Sequence, residues 1–471
     1  MLRLTIFCTL LSLGFGQTAE APFVVEPYIQ MGNAPALSSS GSMVILWHTA
    51  DLDQSWDVQV KKPSDKRWSG PIAAVSTRVA VRGIEPHRVF HARVTGLKKG
   101  EEFDYRVLRR GEQVFEARAR ARKTKDQPYR FAVFGDCGAG TPESREIAFQ
   151  AYQAKPDFVF LPGDIVYTRG RISEYRTKYF PVYNASIASP QTGAPLIRST
   201  LFVGAPGNHD IAKPDLTLFP DSLAYFMYWS QPLNGPRMEI GNPNTPAFAV
   251  ATEEEKNAFL SSVPDNYPRM ANFSFDYGNA HWTVLDSNPN VDWMDPALSD
   301  WVAKDLAAAK SATWRFVGFH HPGFNSSKAH FNEQGMRRLS SLFEAGGVDI
   351  VFSGHVHNFQ RSFPLRFKAS PPDPAAVIKS LIGGEWTLDK KFDGSTRTKP
   401  DGVIYLVTGA GGARVYNPEQ QDDPATWQPF TDKFVSIVNS FTVVDASGDK
   451  LSIRQITKDG TEVDHFVVTK N

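Results

Sequence analysis

The sequence contains very little cysteine: of its 471 residues, only Cys8 and Cys137 are cysteines. Cys8 falls in a predicted leader segment described below, so the mature chain keeps one thiol and cannot form an internal disulfide. Cys137 follows Asp136 at the end of a predicted strand, where neighbouring side chains point to opposite faces, and we expect it to be a small buried residue. Stability must therefore come from packing rather than from covalent cross-links.

The sequence also lacks an excess of charge of one sign. Its 51 Lys and Arg residues balance 50 Asp and Glu residues, which leaves a formal net charge of +1. Proteins that bind nucleic acid or an anionic membrane surface through their overall field carry a clear positive excess. The composition therefore predicts no nucleic-acid partner and no membrane partner, and any anionic ligand must be attracted locally.

Long apolar runs are missing as well, apart from a short one near the N-terminus. Residues 1–3 carry a positive charge, residues 4–13 are mostly apolar, and small residues follow at Gly16 and Ala21. This pattern is typical of a secretory signal peptide, here over residues 1–21. No later segment approaches the roughly 18 uninterrupted apolar residues of a membrane span. We therefore expect a secreted or periplasmic protein that is soluble once the signal is removed.

The length of 471 residues exceeds that of a typical single domain and predicts two or three folding units. Residues 22–125 contain short β-rich runs between turn residues, such as 42–48 and 103–108, and predict an all-β sandwich. The linker-like composition of 123–128 predicts a domain boundary after residue 125. Residues 126–471 are expected to form the larger, catalytic domain.

Residues 91–105 of the first domain read His-Ala-Arg-Val-Thr-Gly-Leu-Lys-Lys-Gly-Glu-Glu-Phe-Asp-Tyr. The strand, the Gly-Leu-x-x-Gly turn and the tyrosine-bearing strand in this segment resemble those of fibronectin type III modules. The resemblance implies a fibronectin type III-like sandwich for residues 22–125.

From residue 129 onward, short buried strands alternate with amphipathic helices, which predicts a layered α/β domain. The predicted strands are 131–134, 158–161, 201–204, 282–285, 316–319, 348–352 and 403–407, and the predicted helices are 142–154, 296–310 and 333–345. Two long irregular stretches, 211–271 and 363–400, interrupt the pattern, and we expect the first to form the substrate-facing rim. The runs 440–444, 450–455 and 465–468 predict closing antiparallel strands.

Short blocks in the α/β domain carry side chains suited to metal binding. They are Gly135-Asp136-Cys137-Gly138, Gly163-Asp164-Ile165-Val166-Tyr167, Gly207-Asn208-His209-Asp210, His320-His321-Pro322, His330 and Gly354-His355-Val356-His357. Most of them directly follow an apolar run, and the carboxyl ends of neighbouring parallel strands meet at one edge of a sheet. Carboxylates, a phenol, an amide oxygen and imidazoles are together the ligands of a two-metal hydrolytic site.

Asp136 and Asp164 are 28 residues apart, which is about one strand–helix–strand unit, so we expect them on adjacent strands. Because further ligand types lie close to Asp164, we expect its carboxylate to bridge two cations. Tyr167 lies three residues later, where a turn returns its ring toward the same cation. A phenol ionises near neutral pH only if a strongly polarising metal replaces its proton, which favours Fe(III) over zinc alone.

The remaining blocks supply neutral ligands. Asn208 offers an amide oxygen, which lets a site hold two cations without excess negative charge. His355 and His357 would face the same side of an extended strand, whereas a turn would let them address two different metals. His320 on its own is compatible with a buried core histidine as well as with a ligand.

The blocks match, in order, the motifs Gly-Asp-x-Gly, Gly-Asp-x-x-Tyr, Gly-Asn-His-Asp/Glu, Val-x-x-His and Gly-His-x-His, the fourth as Val317-Gly318-Phe319-His320. In this respect the chain resembles the purple acid phosphatases, a family of calcineurin-like metallophosphoesterases, from about residue 129 to residue 412. The fibronectin-like first domain resembles that of the larger, plant-type members of the family.

The resemblance implies a role for each site residue. A ferric ion would be bound by Asp136, Tyr167 and His357, and a divalent Fe, Zn or Mn by Asn208, His320 and His355, with Asp164 bridging the two. His209 and His330 match positions where plant-type members place histidines that contact the phosphate and protonate the leaving alcohol. The implied activity is that of an acid phosphatase, in which a metal-activated hydroxide attacks a small phosphate monoester.

Several alternatives stay open at this point. The ligands do not fix whether one or two ester substituents are accommodated, so a phosphodiesterase or nucleotide pyrophosphatase is the nearest alternative function, and a non-catalytic secreted binding protein is a remote one. Asp210 stands where Glu is commoner in the family, and no cysteine is available for a disulfide-linked dimer, so the oligomeric state is undefined. His281, His321 and Asp286 match no ligand position and are predicted to be structural.

Overall fold

The structure is a computed structural model, and it describes residues 21–37, 41–212, 214–246, 248, 250–263, 265–371 and 381–471. The predicted signal peptide lies outside this part of the chain except for its last residue, and Cys8 lies outside it too. Within the described part, no helix is long and apolar enough to cross a membrane. Cys137 is a free and fully buried thiol, as predicted.

The first part of the chain folds into two antiparallel sheets that pack face to face. Their strands are β1 (Val25–Gln30), β2 (Met43–Ala50), β3 (Trp56–Lys61), β4 (Ile72–Ala73), β5 (Val75–Val79), β6 (His87–Val94), β7 (Glu102–Arg109) and β8 (Glu112–Arg120). The strand order is β1-β2-β6-β5 in one sheet and β4-β3-β7-β8 in the other. Trp47 and Trp56, one from each sheet, lie 5.8 Å apart between ring centroids, and burial of such large rings stabilises the sandwich.

Tyr105, the tyrosine of the fibronectin type III-like segment, joins the sandwich to the second domain. Its hydroxyl donates a hydrogen bond of 2.9 Å to the carbonyl oxygen of Arg198. The Arg198 guanidinium in turn donates to Glu26 of the sandwich and to Asn184, each at 2.7 Å. The all-β sandwich is therefore confirmed and is held directly against the α/β part of the chain, while the domain boundary after residue 125 and the likeness to fibronectin type III stay predictions.

The rest of the chain forms the predicted layered α/β domain. Its strands are β9 (Tyr129–Val133), β10 (Phe158–Pro162), β11 (Asn184–Ser189), β12 (Gly193–Pro195), β13 (Leu201–Ala205), β14 (Phe273–Tyr277), β15 (Ala280–Val284), β16 (Trp314–Gly318), β17 (Ile350–Ser353), β18 (Phe359–Ser362), β19 (Leu365–Ala369), β20 (Gly384–Leu388), β21 (Ile404–Thr408), β22 (Thr431–Val435), β23 (Ser440–Ser447), β24 (Lys450–Thr457) and β25 (Glu462–Thr469). Its helices are α1 (Pro142–Ala154), α2 (Ile172–Glu174), α3 (Phe180–Tyr183), α4 (Asn208–Ile211), α5 (Ala224–Tyr228), α6 (Glu253–Ser261), α7 (Pro296–Ala308) and α8 (Ser340–Ala345).

Two large sheets form the centre of this domain, in the orders β13-β10-β9-β23-β24-β25 and β14-β15-β16-β17-β21-β18-β22. In the first sheet β9, β10 and β13 are parallel, and in the second β15, β16, β17 and β21 are parallel. The sheets pack through aromatic side chains, with Phe131 and Trp282 at 5.2 Å between centroids. Because strands at the centre of such a layered fold are covered on both faces, they appear in the sequence as continuous apolar runs.

The predicted strands of this domain are confirmed to within three residues at each end, and helix α1 occupies its predicted residues. The helix predicted over 333–345 is wrong in its first half, because a 3₁₀ turn over Gly335–Leu339 precedes α8. Gly335 is unfavourable in a helix interior. In addition, the Gln334 side chain donates a hydrogen bond to the carbonyl oxygen of Phe331. The stretches predicted to be irregular also contain regular elements: α5 and α6 lie in the first, and the β19-β20 hairpin lies in the second.

Helix α7 is tied to the second large sheet by a buried ion-pair cluster around His281. Nδ1 of His281 lies 2.8 Å from Oδ1 of Asp276 on β14, and Nε2 lies 3.0 Å from Oδ2 of Asp305 on α7. Ser274 and Thr283 also donate to the Asp305 carboxylate. Burial alone would lower the pKa of His281, but the two carboxylates raise it to about 9. These contacts confirm a structural role for His281.

We expect His281→Gln to destabilise the protein strongly near neutral pH and much less at alkaline pH. The folded-state pKa lies above the unfolded value of about 6.5, so the stabilisation is complete below that pH and is lost as the pH rises through about 9. A shift of this size corresponds to roughly 3 kcal/mol. Urea unfolding of the variant and of the wild type over a pH series measures the difference, with exposed His465→Gln as the control. A difference that does not change with pH would contradict the ion-pair assignment.

Candidate metal centre

The predicted metal ligands lie just beyond the carboxyl ends of parallel strands. Asp136 follows β9, Asp164 follows β10 and Asn208 follows β13 in the first large sheet, while His320 and His355 follow β16 and β17 in the second. Packing of the two sheets brings these edges together, and the ligand side chains converge in the space between them. The structure therefore places the predicted ligands in one cluster.

The turns that present these side chains use uncommon backbone conformations. Asp136, Asp164 and His355 have φ angles of 59°, 49° and 67°, values that cost non-glycine residues free energy and concentrate at functional sites. Gly163 has a φ angle of 86°, and a Cβ atom at this position would lie 2.6 Å from Nδ1 of His320. The turn before Asp164 therefore requires glycine.

Asp136, Tyr167 and His357 form one group of mutually contacting side chains, here called the first donor set. The Tyr167 hydroxyl donates to Oδ1 of Asp136 at 2.8 Å and lies 3.0 Å from Nε2 of His357. The same histidine nitrogen is 3.4 Å from Asp136 Oδ1. A carboxylate oxygen, a phenol oxygen and an imidazole nitrogen thus surround one point.

Asn208, His320 and His355 form the second donor set. Nε2 of His320 lies 3.0 Å from Oδ1 of Asn208 and 3.2 Å from Nδ1 of His355. The His320 side chain is fully buried, and that of His355 is nearly so. His355 and His357 therefore belong to different donor sets, as expected if a turn rather than an extended strand carries them.

Asp164 lies between the two sets. Its Oδ1 is 3.3 Å from Nε2 of His320 in the second set, and ligand atoms of Asp136, Asp164 and His320 all lie within 4.8 Å of one another. The backbone N–H of His209 donates to Asp164 Oδ1 at 2.9 Å and fixes the carboxylate. This position suits a carboxylate shared by two cations.

Hydrogen bonds on the outer side of each histidine ring determine which nitrogen faces the donor sets. Nδ1 of His320 lies 2.8 Å from the carbonyl oxygen of Pro162, and Nδ1 of His357 lies 2.8 Å from that of Arg414. A carbonyl oxygen only accepts, so both histidines donate from Nδ1. In the neutral form of each ring the Nε2 lone pair consequently points inward, which is the usual arrangement of metal-binding histidines.

Glu333 orients the ring of His355 in a similar way, but it accepts a hydrogen bond from Nε2 rather than from Nδ1. Its Oε2 lies 2.7 Å from Nε2 of His355, so this nitrogen donates and Nδ1 faces inward. Three imidazole nitrogens, two carboxylates, an amide oxygen and the Tyr167 hydroxyl therefore converge on one buried space. Buried acceptors that face one another are stable only when cations or protons lie among them. The donor chemistry of this site therefore fits a pair of metal cations.

The pKa values of the site residues follow from the same crowding. Burial alone would lower the pKa of His320, but the Asp164 carboxylate raises it to about 9. Burial would raise the pKa of Asp164, but His320 and the other nearby histidines hold it well below its usual range. Burial and the carboxylates of Asp136 and Asp164 raise the pKa of Tyr167 well above its ordinary value. Tyr167 can therefore ionise only if a cation replaces its proton.

The two predicted catalytic histidines flank the donor sets. The ring of His209 packs on Tyr167 at 4.4 Å between centroids, and its Nδ1 lies 2.8 Å from the carbonyl oxygen of Thr168. The ring of His330 packs on His355 at 4.0 Å. Both rings are partly exposed and contact a cavity of about 710 Å³ that opens beside the second donor set.

Sequence reasoning missed Glu333 and Tyr416. Glu333 bonds His355 and also accepts from Nδ1 of His330 at 2.8 Å, and its position three residues after His330 was the only local signal. Tyr416 stacks on His357 at 4.1 Å with an interplanar angle of 10°. Because it lies 59 residues after His357 in the chain, no motif spacing indicated this contact.

Asp210 holds two of the motif loops together. Its buried carboxylate accepts from the backbone N–H groups of Ile165, at 3.1 Å, and of Gly207, at 2.8 Å. Burial and the neighbouring Asp164 raise the pKa of Asp210 to about 8. Aspartate at this position thus links the Asp164 turn to the Asn208 turn.

The two other residues predicted to be structural lie close to the centre. Asp286 is fully buried and accepts from the backbone and side chain of Asn288 at 2.9 and 2.7 Å, which agrees with a structural role. His321 shares a 3.0 Å hydrogen bond with Ser287, and its ring lies 4.2 Å from that of His355. His321 also lines the cavity, so its position is not only structural.

Comparison with known proteins agrees with the fold and with the cluster of donors. A family model described as calcineurin-like phosphoesterase matches residues 129–359. Purple acid phosphatase 21 of Arabidopsis thaliana is 25% identical over 358 residues, which cover 74% of this chain and 69% of the relative. Purple acid phosphatase 23 of the same plant is 26% identical over 396 residues, with coverages of 76% and 79%.

Among solved structures, the purple acid phosphatase PPD1 from yellow lupin (Lupinus luteus) seeds superposes with a TM-score of 0.66 at 17% identity. The match covers 94% of this chain and 74% of that structure, and at this identity it supports the fold alone. The chain is thus a metallophosphoesterase whose relatives imply a binuclear metal centre. Residues 129–359 match the calcineurin-like phosphoesterase family, and the chain is similar in sequence and in fold to purple acid phosphatases.

Proposed function

We propose that this protein is a secreted acid phosphatase that hydrolyses small phosphate monoesters at a binuclear metal centre. The first donor set would hold Fe(III) and the second a divalent Fe, Zn or Mn, with Asp164 shared between them. The observation that carries the proposal is the pair of donor sets around Asp164, with His209 and His330 beside them on the wall of one cavity.

When bound, the two cations would supply Lewis acidity for the phosphoryl oxygens and lower the pKa of the attacking water. The protein residues have separate tasks. The fixed backbone turns and the inward lone pairs of His320, His355 and His357 hold the donors in one geometry, so little reorganisation is needed during the reaction. The half-exposed rings of His209 and His330 donate hydrogen bonds to the phosphate from the cavity side.

His330 is the proposed general acid. Its Nδ1 donates to Glu333 at 2.8 Å, which leaves Nε2 free to hold the proton that the leaving oxygen receives. Burial would raise the pKa of Glu333, but His330 and His355 hold it well below its usual range. Glu333 therefore stays ionised and accepts the hydrogen bond that orients the His330 ring.

The experiment that tests this function compares monoester and diester hydrolysis by the metal-loaded protein. We expect kcat/KM for para-nitrophenyl phosphate to exceed that for bis(para-nitrophenyl) phosphate, with an optimum in mildly acidic buffer, because the acid must carry its proton. A preference for the diester would support a phosphodiesterase instead. An optimum in clearly alkaline buffer would overturn the assignment of the protonated histidine.

Glu333→Gln is expected to lower kcat about 10- to 100-fold with a much smaller change in KM. Glutamine offers one acceptor where glutamate offers two, so either His330 or His355 loses the partner that orients its ring. Steady-state kinetics over a pH series measure the effect, and the alkaline limb of the kcat profile, on which the general acid loses its proton, should shift. The control is Glu419→Gln, which removes an exposed carboxylate paired with Lys328. Kinetics of E333Q that match the wild type would rule out a positioning role.

A further inference from the structure

We propose that Arg169 forms an anion-binding subsite in the active-site cavity. The favoured substrates would be phosphate esters whose leaving group carries a second anionic group, either a phosphate or a carboxylate. This inference rests on the proposed function, because it names the class of ester that the metal centre would hydrolyse.

Arg169 lines the same cavity as the second donor set and the two proposed catalytic histidines. Among the described residues that line this cavity, Arg169 is the only arginine or lysine. A cavity of about 710 Å³ is large enough for the whole leaving group of a small ester. The permanent positive charge of the cavity wall is therefore concentrated at Arg169.

The Arg169 guanidinium has no carboxylate partner among the residues that the structure describes. Among the residues that the structure describes, no carboxylate lies within 4.0 Å of it, and it donates no hydrogen bond to another residue. Its neighbour Arg171 differs, because its Nε donates to the buried carboxylate of Asp221 at 2.7 Å. Arg171 is thus used by the fold, whereas Arg169 is available to a ligand.

The loop that carries Arg169 is fixed before any ligand arrives. The Glu174 carboxylate accepts from the backbone N–H groups of Thr168, Arg169 and Arg171, the last two at 3.0 Å. The Arg169 guanidinium also lies over the ring of Phe219, 5.3 Å from its centroid. A cation held in this way loses little conformational entropy when it binds an anion.

The chemistry of the guanidinium defines the ligand. Its planar fork of N–H donors matches the oxygen pairs of carboxylates and phosphates. With the reacting phosphoryl group held between the donor sets, Arg169 would contact an anion on the remainder of the ester. The neutral and apolar surfaces of Ala212, Pro246 and Pro289 would pack against the connecting part of the leaving group.

The kinetic test uses matched esters and matched variants. The esters are phenyl phosphate, para-carboxyphenyl phosphate and para-phenylene bisphosphate, assayed with the metal-loaded full chain. For wild type, we expect the two doubly anionic esters to be preferred over phenyl phosphate. In Arg169→Gln, the ratio of their kcat/KM to that of phenyl phosphate should fall about tenfold. The relative size of the two falls distinguishes phosphate from carboxylate as the favoured second group.

Arg338→Gln is the control variant. Arg338 lines an adjoining groove that shares Pro289, His321 and Glu333 with the cavity, and it also lacks a carboxylate partner among the described residues. Removing it changes the net charge by the same amount at a nearby place. An equal fall of the ratio in both variants would show a general field effect and overturn the proposal. A fall in R338Q alone would move the leaving group to the groove and also overturn it.

A binding measurement separates this proposal from the proposed function. Calorimetry with benzylphosphonate and para-carboxybenzylphosphonate does not depend on turnover. We expect wild type to bind the carboxylated phosphonate more tightly and R169Q to lose about tenfold of that preference. If the preference is present but no ester is hydrolysed, the proposed function fails and the subsite stands. If R169Q keeps the full preference, the subsite is wrong whatever the enzyme hydrolyses.

Discussion

Asp164→Asn is expected to lose bound metal and to lower kcat/KM for para-nitrophenyl phosphate by about a thousandfold or more. Among the described residues, Asp164 alone places a carboxylate between the two donor sets: its Oδ1 lies 3.3 Å from Nε2 of His320, and its charge contributes to the raised pKa of Tyr167. Asparagine fills the same volume but supplies no negative charge and only one acceptor oxygen. The remaining lone pairs then face one another without the charge that would hold two cations together. Metal analysis of the purified variant and steady-state kinetics measure both effects.

The matched control is Asp286→Asn. Asp286 is equally buried and lies at the same edge of the fold, after β15, but it belongs to neither donor set. Its Oδ1 accepts from Asn288 while its Oδ2 has no partner among the described residues, so asparagine can keep the existing contacts. We expect D286N to retain metal and most activity. A D164N protein that retains both metal ions and full activity would refute the shared-carboxylate assignment.

Tyr167→Phe is expected to abolish the visible colour of the iron-loaded protein. The Tyr167 oxygen lies 2.8 Å from Asp136 Oδ1 and 3.0 Å from His357 Nε2, where a cation would replace its proton. Its raised pKa excludes an ionised phenol in the absence of a strongly polarising ion. Tyrosinate bound to Fe(III) absorbs broadly in the visible range, and phenylalanine cannot form it. Absorption spectra at equal iron content provide the measurement.

Tyr416→Phe serves as the control for this experiment. Tyr416 stacks on His357 of the same donor set, so both variants remove one hydroxyl from the vicinity of the same ligand. The stack does not require the hydroxyl, and we expect Y416F to keep the colour. A colourless iron-replete wild type, or colour that survives in Y167F, would remove Fe(III) tyrosinate from the proposed function and leave a generic metallophosphoesterase.

The donor sets could be predicted from the sequence because each depends on a local signal. An apolar run followed by Gly-Asp or Gly-Asn-His fixes a strand and the turn after it, and parallel strands bring such turns to one edge. The residue spacing left open whether His355 and His357 belong to the same donor set or to different ones, because the outcome depends on the φ angle of 67° at His355. The residue spacing alone does not determine that angle.

The supporting contacts could not be predicted in this way. Glu333 was assigned to the first turn of a helix, but its carboxylate bonds His330 and His355 and the helix begins seven residues later. Arg414 and Tyr416 reach His357 from a segment far along the chain. Contacts of this kind depend on the packing of distant segments, and a single sequence contains no spacing rule for them.

The pairing of β9 with β23 has a consequence for how the protein is made. Strand β9 carries Asp136 at its end, and its edge opposite β10 is covered by β23, with Val133 opposite Thr442. The two strands are separated by about 300 residues of chain, and such long-range contacts form late in folding. During synthesis, β9 therefore cannot pair along this edge until the C-terminal hairpin β23-β24 has emerged. A fragment that ends at residue 359 would therefore contain every motif and yet lack the strand that covers this edge of β9.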